Sequence, residues 1–440
     1  MLSVWGVVVL QASEPIVDTR RASAAVAAAG LSSFALLYAP QPVLPQLATA
    51  YGLDPGSASL AIGVATASLA VAVLPLAWLA GVVGRRRVIL WSVVVSAVIG
   101  LLLPLAPSFA VFLVMRGVQG VAIAGFAGVA AAYLADQVGT ARLAGAVGAM
   151  IAGNSVGGML GRLGAGFAAG PLGWHGALVA VAGVALVCSL FTVVALPRGE
   201  SSASEPSSAS ATGEGGGGLR GDGAGRGADA VVERDVSGRD VSGRGGGGVR
   251  LGLGLVAPFA VGALAMGAFV ALYNAAGFRL AAPPISLSPA AASLVFLSYA
   301  MGTASSAAAG RLAARMGRTT ALVGALAVTV VGSVLTAHPS LPVIALGFAV
   351  LTAGFFAAHA IANAWVTADA PPPARGRAAG VYTLCYYLGS GAGGTAGAVV
   401  YGQAGWTWLI VMTSAWLLLA ALAVLVTRRR RAPAALRVSA

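Results

Sequence analysis

Residues 80–90 read AGVVGRRRVIL, and residues 309–322 read AGRLAARMGRTTAL. In each, a glycine followed by arginine interrupts an apolar stretch with no acid beside it. Gly84-Arg85 and Gly317-Arg318 are 233 residues apart. The same offset carries Asp136 and Arg142 onto Asp369 and Arg375, and Gly158, Gly161 and Gly164 onto Gly391, Gly394 and Gly397. LDPGSASL at 53–60 returns as LSPAAASL at 287–294, shifted by 234, and Gly173-Trp174 returns as Gly405-Trp406, shifted by 232. A chain that repeats at so constant an interval contains two copies of one unit.

The apolar stretches say what that unit is. With 58% hydrophobic and 9% charged residues and a mean hydropathy of +0.89, the chain has more apolar surface than a water-soluble domain can bury. Twelve runs are long enough to cross about 30 Å of hydrocarbon as helices: 23–46, 57–80, 88–105, 109–134, 143–166, 173–196, 251–276, 288–310, 319–337, 341–366, 378–401 and 406–427. They are numbered spans 1 to 12 below. The sequence predicts an all-α integral membrane protein, its 12 transmembrane helices forming two pseudo-symmetric six-helix bundles. The bundles occupy 23–198 and 250–427, between an N-terminal extension (1–22) and a basic tail (428–440).

Residues 199–249 are Ser, Gly and charge with scarcely a large apolar side chain. Such a segment cannot bury enough surface to offset its ordering entropy, so a disordered cytoplasmic tether is expected, its VSGRDVSGR doublet low-complexity repetition. The first ten residues, MLSVWGVVVL, lack a basic n-region and a small-residue cleavage site. They read as a cytoplasmic extension or a misplaced start rather than a signal peptide.

All 26 basic residues are arginine. If Arg20 and Arg21 are inside, so are Arg85 to Arg87, Arg142, the central segment, Arg311, Arg315, Arg318, Arg375, Arg377 and Arg428 to Arg431, leaving only Arg279 outside. Positive charge accumulates in cytoplasmic loops, so both termini are predicted cytoplasmic. The net charge of +13 is then topology plus contact with anionic lipid, and calls for no nucleic acid. Cys188 and Cys385 fall within predicted spans and offer neither a disulfide framework nor a metal site.

Several motifs carry a family resemblance. Leu79, Gly84, Arg85, Arg86 and Leu90 match the loop 2–3 motif of the major facilitator superfamily, and Gly310, Leu312, Arg315, Gly317, Arg318 and Leu322 match its second copy. Arg116, Gln119 and Gly120 match its span 4 motif. YAPQPVLPQLA (38–48), GNSVGGMLGRLGAG (153–166), LYNAAGFRLAAPP (272–284) and YYLGSGAGG (386–394) resemble the YnfM-type, arabinose-efflux-like permease branch. The resemblance covers everything outside the extension, the tether and the tail. It implies a secondary transporter of a bacterial cytoplasmic membrane, working by alternating access as a monomer without a cofactor or metal. Its partners would be the bilayer and a small organic solute, drug-like or sugar-like, exported by proton antiport with the proton gradient as driving force. Gly81 and Ala314 stand where the family motif has an acid. In the family that acid latches span 2 to the second bundle. Asp136 is therefore expected to pair with Arg85 or Arg86, and Asp369 with Arg318, unless these are simply solvated loop charges.

A polar group inside hydrocarbon needs a reason. No acid lies within a predicted span, and the embedded ionisable groups are Arg116, Arg162 and His359. Arg116 resembles the span 4 arginine that the family's antiporters tie to proton exchange; with no embedded acid to pair with, it binds carbonyls, Asn154 or an anionic group of the substrate, or else has a purely structural hydrogen-bonding role. Arg162 is placed near enough to the interface to snorkel, with a substrate or coupling role as the alternative, since its counterpart in the other half, Thr395, is not ionisable. His359 is either a proton switch or a satisfied neutral histidine. Tyr38 and Gln41 in span 1, Gln119 in span 4, Asn154 in span 5, Tyr273 and Asn274 in span 7, Asn363 in span 10, and Tyr382 and Tyr386 in span 11 are candidates for a midplane cavity. The family resemblance points first to spans 1, 4, 7 and 10. Gly153, Gly157 and Gly161, like Gly389, Gly393 and Gly397, recur at four-residue steps, which lets helices approach closely. They are read as sliding contacts between the bundles. A uniporter or uptake permease is the alternative, and an integral-membrane enzyme or sensor a remote one. The enzyme would need a catalytic acid, metal cluster or phosphate cradle, yet Asp54 is the only outer-loop acid and His175, His338 and His359 are scattered.

Overall fold

The computed structural model describes residues 16–197, 253–371 and 374–436. The tether, the first ten residues and the end of the tail lie outside the described residues. Among the described residues every regular element is helical, and ten helical stretches are long and apolar enough to cross a membrane.

The N-terminal half begins with α1 (Ile16–Tyr38), a 3-10 turn (Gln41–Val43) and α2 (Leu44–Tyr51), which together form span 1. Its break follows from Pro40 and Pro42, which lack the N–H that would continue the helix. Spans 2, 3 and 4 are α3 (Pro55–Val83), α4 (Arg85–Leu102) and α5 (Phe109–Gln137). Spans 5 and 6 form one 57-residue stretch, α6 (Gly139–Ala195), interrupted at Gly173 by φ 64°, ψ −179°. The chain reverses there. Gly153 and Gly161 climb beside Ala27 and Ala35, and Ser32 and Thr192 then mark the descent, through hydrogen bonds Ser32 Oγ to Ala185 O (3.0 Å) and Thr192 Oγ1 to Ala25 O (3.2 Å).

The second half repeats this plan with α7 (Val256–Ala281), α8 (Pro289–Ser293) continued through a 3-10 turn into α9 (Tyr299–Met316), α10 (Arg318–Leu335), α11 (Leu341–Asp369) and α12 (Arg375–Leu436). α12 has 62 residues and is interrupted at Gly405 (φ 82°, ψ −175°). With α6 and α12 each counted as two passes, the ten stretches make the twelve spans predicted.

The repeat extends to the backbone. Gly84 (φ 102°) and Gly317 (φ 78°) each form the entire connection between two helices, and Gly52 and Ser286, shifted by 234, both have positive φ. No side chain approaches the Cβ position of Gly84 or Gly317, so glycine is required there by backbone conformation alone. Asp54 and Ser288 cap the next helices in the same way, accepting from the N–H of Ser57 (3.0 Å) and of Ala291 (3.3 Å). Bonds from the Ser57 hydroxyl and N–H also hold the Asp54 carboxyl below its ordinary pKa.

The two arginine loops are tied within their own halves. Arg85 pairs with Asp136, and Arg318 grips Asp369 with two bonds of 2.7 and 3.1 Å, both pairs 51 residues apart. Each pair joins the start of the third span of its half to the end of the fourth, so neither latches one half to the other. Asp369 also accepts from Trp365 Nε1 (2.8 Å), and its side chain is 17% exposed against 50% for Asp136. Asp369→Asn should therefore cost about 1–3 kcal/mol and Asp136→Asn under about 1 kcal/mol. Melting temperatures of the purified variants check this; equal losses would sink the distinction. Among the remaining loop candidates, Arg142 reaches Thr19 Oγ1 (3.1 Å), while Gly310, Arg315 and Arg375 are exposed.

The repeated glycines also face their own halves. A Cβ on Gly161 would lie 2.6 Å from Ala35 Cα, and Gly153 and Gly157 abut Ala27 and Leu31 in the same way. Gly389, Gly393 and Gly397 abut Ala263, Gly267 and Ala271 of α7. These seams hold span 5 on span 1 and span 11 on span 7, correcting the expectation of sliding contacts between bundles. Close approach between the halves is made instead by α3 against α12, where a Cβ on Gly63 would stand 2.6 Å from Thr395 Oγ1 and 3.2 Å from Gly391 O.

Candidate functional site

Two adjoining lobes of a cavity, each of about 370 Å³, lie between the halves. Both are lined by Phe34 of α1, Asn154 and Ser155 of α6, Thr303 of α9, Phe356 of α11 and Tyr386 of α12. One lobe adds Tyr38, Arg162, Met266, Phe269 and Tyr299; the other adds Ile151, Ser306, His359, Asn363, Tyr382 and Tyr387. The second lobe extends toward the end that bears the arginine loops. At the opposite end α6 packs on α8 and the 3-10 turn after it, with Ser293 against Gly166 and Gly277 against Pro45.

Sequence reasoning expected span 4 at this site, and the structure places it elsewhere. Arg116 is fully buried, with Nε donating to Ala61 O (2.7 Å), Nη1 to Leu36 O (3.1 Å) and Gln119 Oε1 (2.5 Å), and Nη2 to Leu37 O (2.6 Å). Gln119 in turn donates to Ser96 O (2.8 Å). Of the readings open for Arg116, the carbonyl-binding one describes this geometry. Leu36 O needs such a donor, because its helical partner would be the N of Pro40. Tyr273 also misses the lobes: it is 1% exposed, bonded to Ser298 and Thr352 Oγ1 (2.7 Å) inside the second half.

The other candidates gather at the cavity. Tyr38, Asn154, His359, Asn363, Tyr382 and Tyr386 line it. His359 Nδ1 and the Tyr382 hydroxyl are 2.8 Å apart, and the imidazole is near-parallel to the Phe355 ring at 6.1 Å and tilted against Tyr386 at 4.7 Å. Gln41 and Asn274 lie just beyond the first lobe and join the halves, Gln41 Nε2 donating to Asn274 Oδ1 at 2.7 Å.

Arg162, named from the sequence as embedded but expected to snorkel, belongs to the cavity instead. It is 3% exposed and does not snorkel; its Nε donates to Gln41 Oε1 (2.5 Å) and its Nη1 to Gly158 O (2.8 Å). The guanidinium lies over Tyr38 at 3.8 Å and near the rings of Tyr299 (4.7 Å) and Phe296 (5.4 Å). A signal was present: Asn154, Gly158 and Arg162 follow one another at steps of four, one position round the helix from the Gly153-Gly157-Gly161 seam. The other flank of the seam, Ala152, Val156 and Leu160, is exposed, so the spacing marks two candidate faces and the structure shows that Arg162 lies on the inward one.

The model of the Major Facilitator Superfamily matches residues 26–234 and 259–440. The MFS-type transporter YybF of Bacillus subtilis is 31% identical over 410 residues, covering 91% of this chain and 92% of that protein. The inner membrane transport protein YnfM of Escherichia coli is 33% identical over 386 residues, covering 88% and 85%. Among solved structures, a bacterial homologue of the human lysosomal transporter Spinster, in an inward-facing and occupied conformation, superposes with a TM-score of 0.71 at 15% identity, covering 92% of this chain and 96% of that one. Repeat, fold and relatives agree, and the chain belongs to the Major Facilitator Superfamily, a multi-pass membrane transporter and not an enzyme.

Proposed function

We propose that the protein moves a small organic solute across the cytoplasmic membrane by alternating access, as a monomer and without a cofactor. The observation that carries this reading is the cavity between the halves, shut at one end by Gln41, Asn274 and the α6–α8 contact and extending toward the arginine loops at the other. With the arginine end cytoplasmic, as its charge favours, both termini are cytoplasmic and the conformation is inward-facing. Spin-label pairs at Thr49 with Ser286 and at Arg87 with Arg315 report the two ends, all four residues being exposed. The expected result is two populations, one pair lengthening as the other shortens; a single distance at both ends under every condition would sink the reading.

Export against proton entry is the coupling we favour, on the resemblance to efflux permeases. No carboxylate stands among the described lining residues, which leaves His359 as the group suited to carry a proton. His359→Ala should abolish flux driven by a pH gradient while sparing solute binding. Retained pH-driven flux would remove His359 from the mechanism. The absence of a lining acid also favours uniport as the second reading; wild-type flux that no pH gradient drives would point to it.

A further inference from the structure

We infer that the transported solute is an organic anion, a carboxylate or similar monoanion on an aromatic or otherwise apolar body, whose charge is received by Arg162. This rests on the reading of the cavity as the transport site and names what that site takes.

Among the described residues no acid pairs with Arg162, whereas Arg85 and Arg318 each have one. Its hydrogen-bond partners are neutral, and the three rings around it return about 0.5–2 kcal/mol each. Removing an ion from water costs several kcal/mol. A buried cation with only such partners leaves the cavity electropositive in a medium where charge is weakly screened. Arg116 is the internal comparison: equally buried, it is consumed by three carbonyls and an amide and lines neither lobe. Arg162 gives its bonds to Gln41, Gly158 and the neighbouring Tyr38, and lines the first lobe.

The surroundings define the rest of the ligand. Phe34, Met159, Met266, Phe269 and Phe356 make the wall beside the guanidinium apolar. Methionine and aromatic walls accept varied flat bodies without fixing one shape. Asn154 stands two helical turns away on the same face, about 12 Å along the axis at 1.5 Å per residue. The site therefore has a cationic end, a greasy middle and an amide at the far end, and a cation would meet repulsion where the anion is held.

The test uses three probes with one body and different charge: 4-phenylbutyrate, 4-phenylbutanamide and 4-phenylbutylammonium, alongside matched acid, amide and amine sets with naphthyl and octyl bodies. Binding is read on the purified full-length protein by thermal stabilisation, which rises with ligand bound to the folded state. Acids should bind at least tenfold more tightly than their amides and amines. Arg162→Gln should erase that preference, and Arg162→Lys should keep it at reduced affinity, since lysine keeps the charge but not the two-pronged grip. Arg162→Gln protein must first elute as a single species; if it does not, the lysine variant and the wild-type charge series decide. Amines or amides binding as well as acids, no acid binding, or an unchanged preference in Arg162→Gln would each overturn the assignment. None of these would touch the alternating-access reading, which the spin-label distances judge separately.

Discussion

Arg116→Ala should be among the most damaging single substitutions in the protein, costing about 3–5 kcal/mol and lowering the melting temperature in detergent by roughly 10 °C. The damage begins in span 1. Pro40 removes the donor that Leu36 O would have had, and the break after Tyr38 frees Leu37 O as well. Arg116 supplies both, and adds a bond to Ala61 O in α3, so one side chain pins three helices. Inside a membrane, water does not reach such carbonyls once the arginine is gone, and each orphan costs several kcal/mol. Arg116→Lys keeps the charge but places a single nitrogen where three directions must be served, and should fall between wild type and alanine. The measurement is melting by fluorescence-detected gel filtration with solute flux in parallel. If Arg116→Ala melted within about 2 °C of wild type yet lost transport, the residue would be a substrate ligand and the structural account wrong.

The second large effect concerns the seams. Gly157→Val places side-chain atoms where Leu31 backbone now lies, its Cβ alone falling 2.5 Å from Leu31 Cα and 2.8 Å from Leu31 C. Gly389→Val does the same against Ala263 C and Cα, each at 2.8 Å. Overpacking of a core commonly costs 1–3 kcal/mol, and more is expected here because backbone cannot rotate aside as a side chain does. Both variants should lose most folded yield. Gly183→Ala, with nothing within 4 Å of its Cβ, is the control and should be neutral or gain about 0.5–1 kcal/mol from helix propensity. Wild-type yield and melting from Gly157→Val would mean span 5 leaves span 1 freely, restoring a sliding role for the glycines.

Span number, the halves and their repeat were legible because bilayer thickness sets run length and the repeat sets register. Pairings within a repeat unit were legible too: Asp136 and Asp369 meet the arginines named for them because each pair closes the same corner of the same unit. What escaped depends on which side of a helix faces its own half and which faces the other. Tyr273 and Asn274 are adjacent in sequence, yet one turns into its bundle toward Thr352 and the other across the interface toward Gln41. The glycine ladders gave the spacing of a seam without its partner. Arg162 was misread because depth along a span was judged without the aromatic wall that Phe296 and Tyr299 contribute from α8's continuation.

The bond between Gln41 and Asn274 carries a further consequence. The two residues are 233 apart, so they occupy the same position in successive copies of the repeat, and that position meets itself. This is the geometry of an isologous contact in a homodimer, where a group on the two-fold axis must complement its own copy. Two guanidiniums or two ionised carboxylates would repel there, whereas a primary amide gives with one atom and receives with the other. An axis of this kind selects self-complementary chemistry before any solute arrives, and the covalent joining of the halves leaves the rule in force.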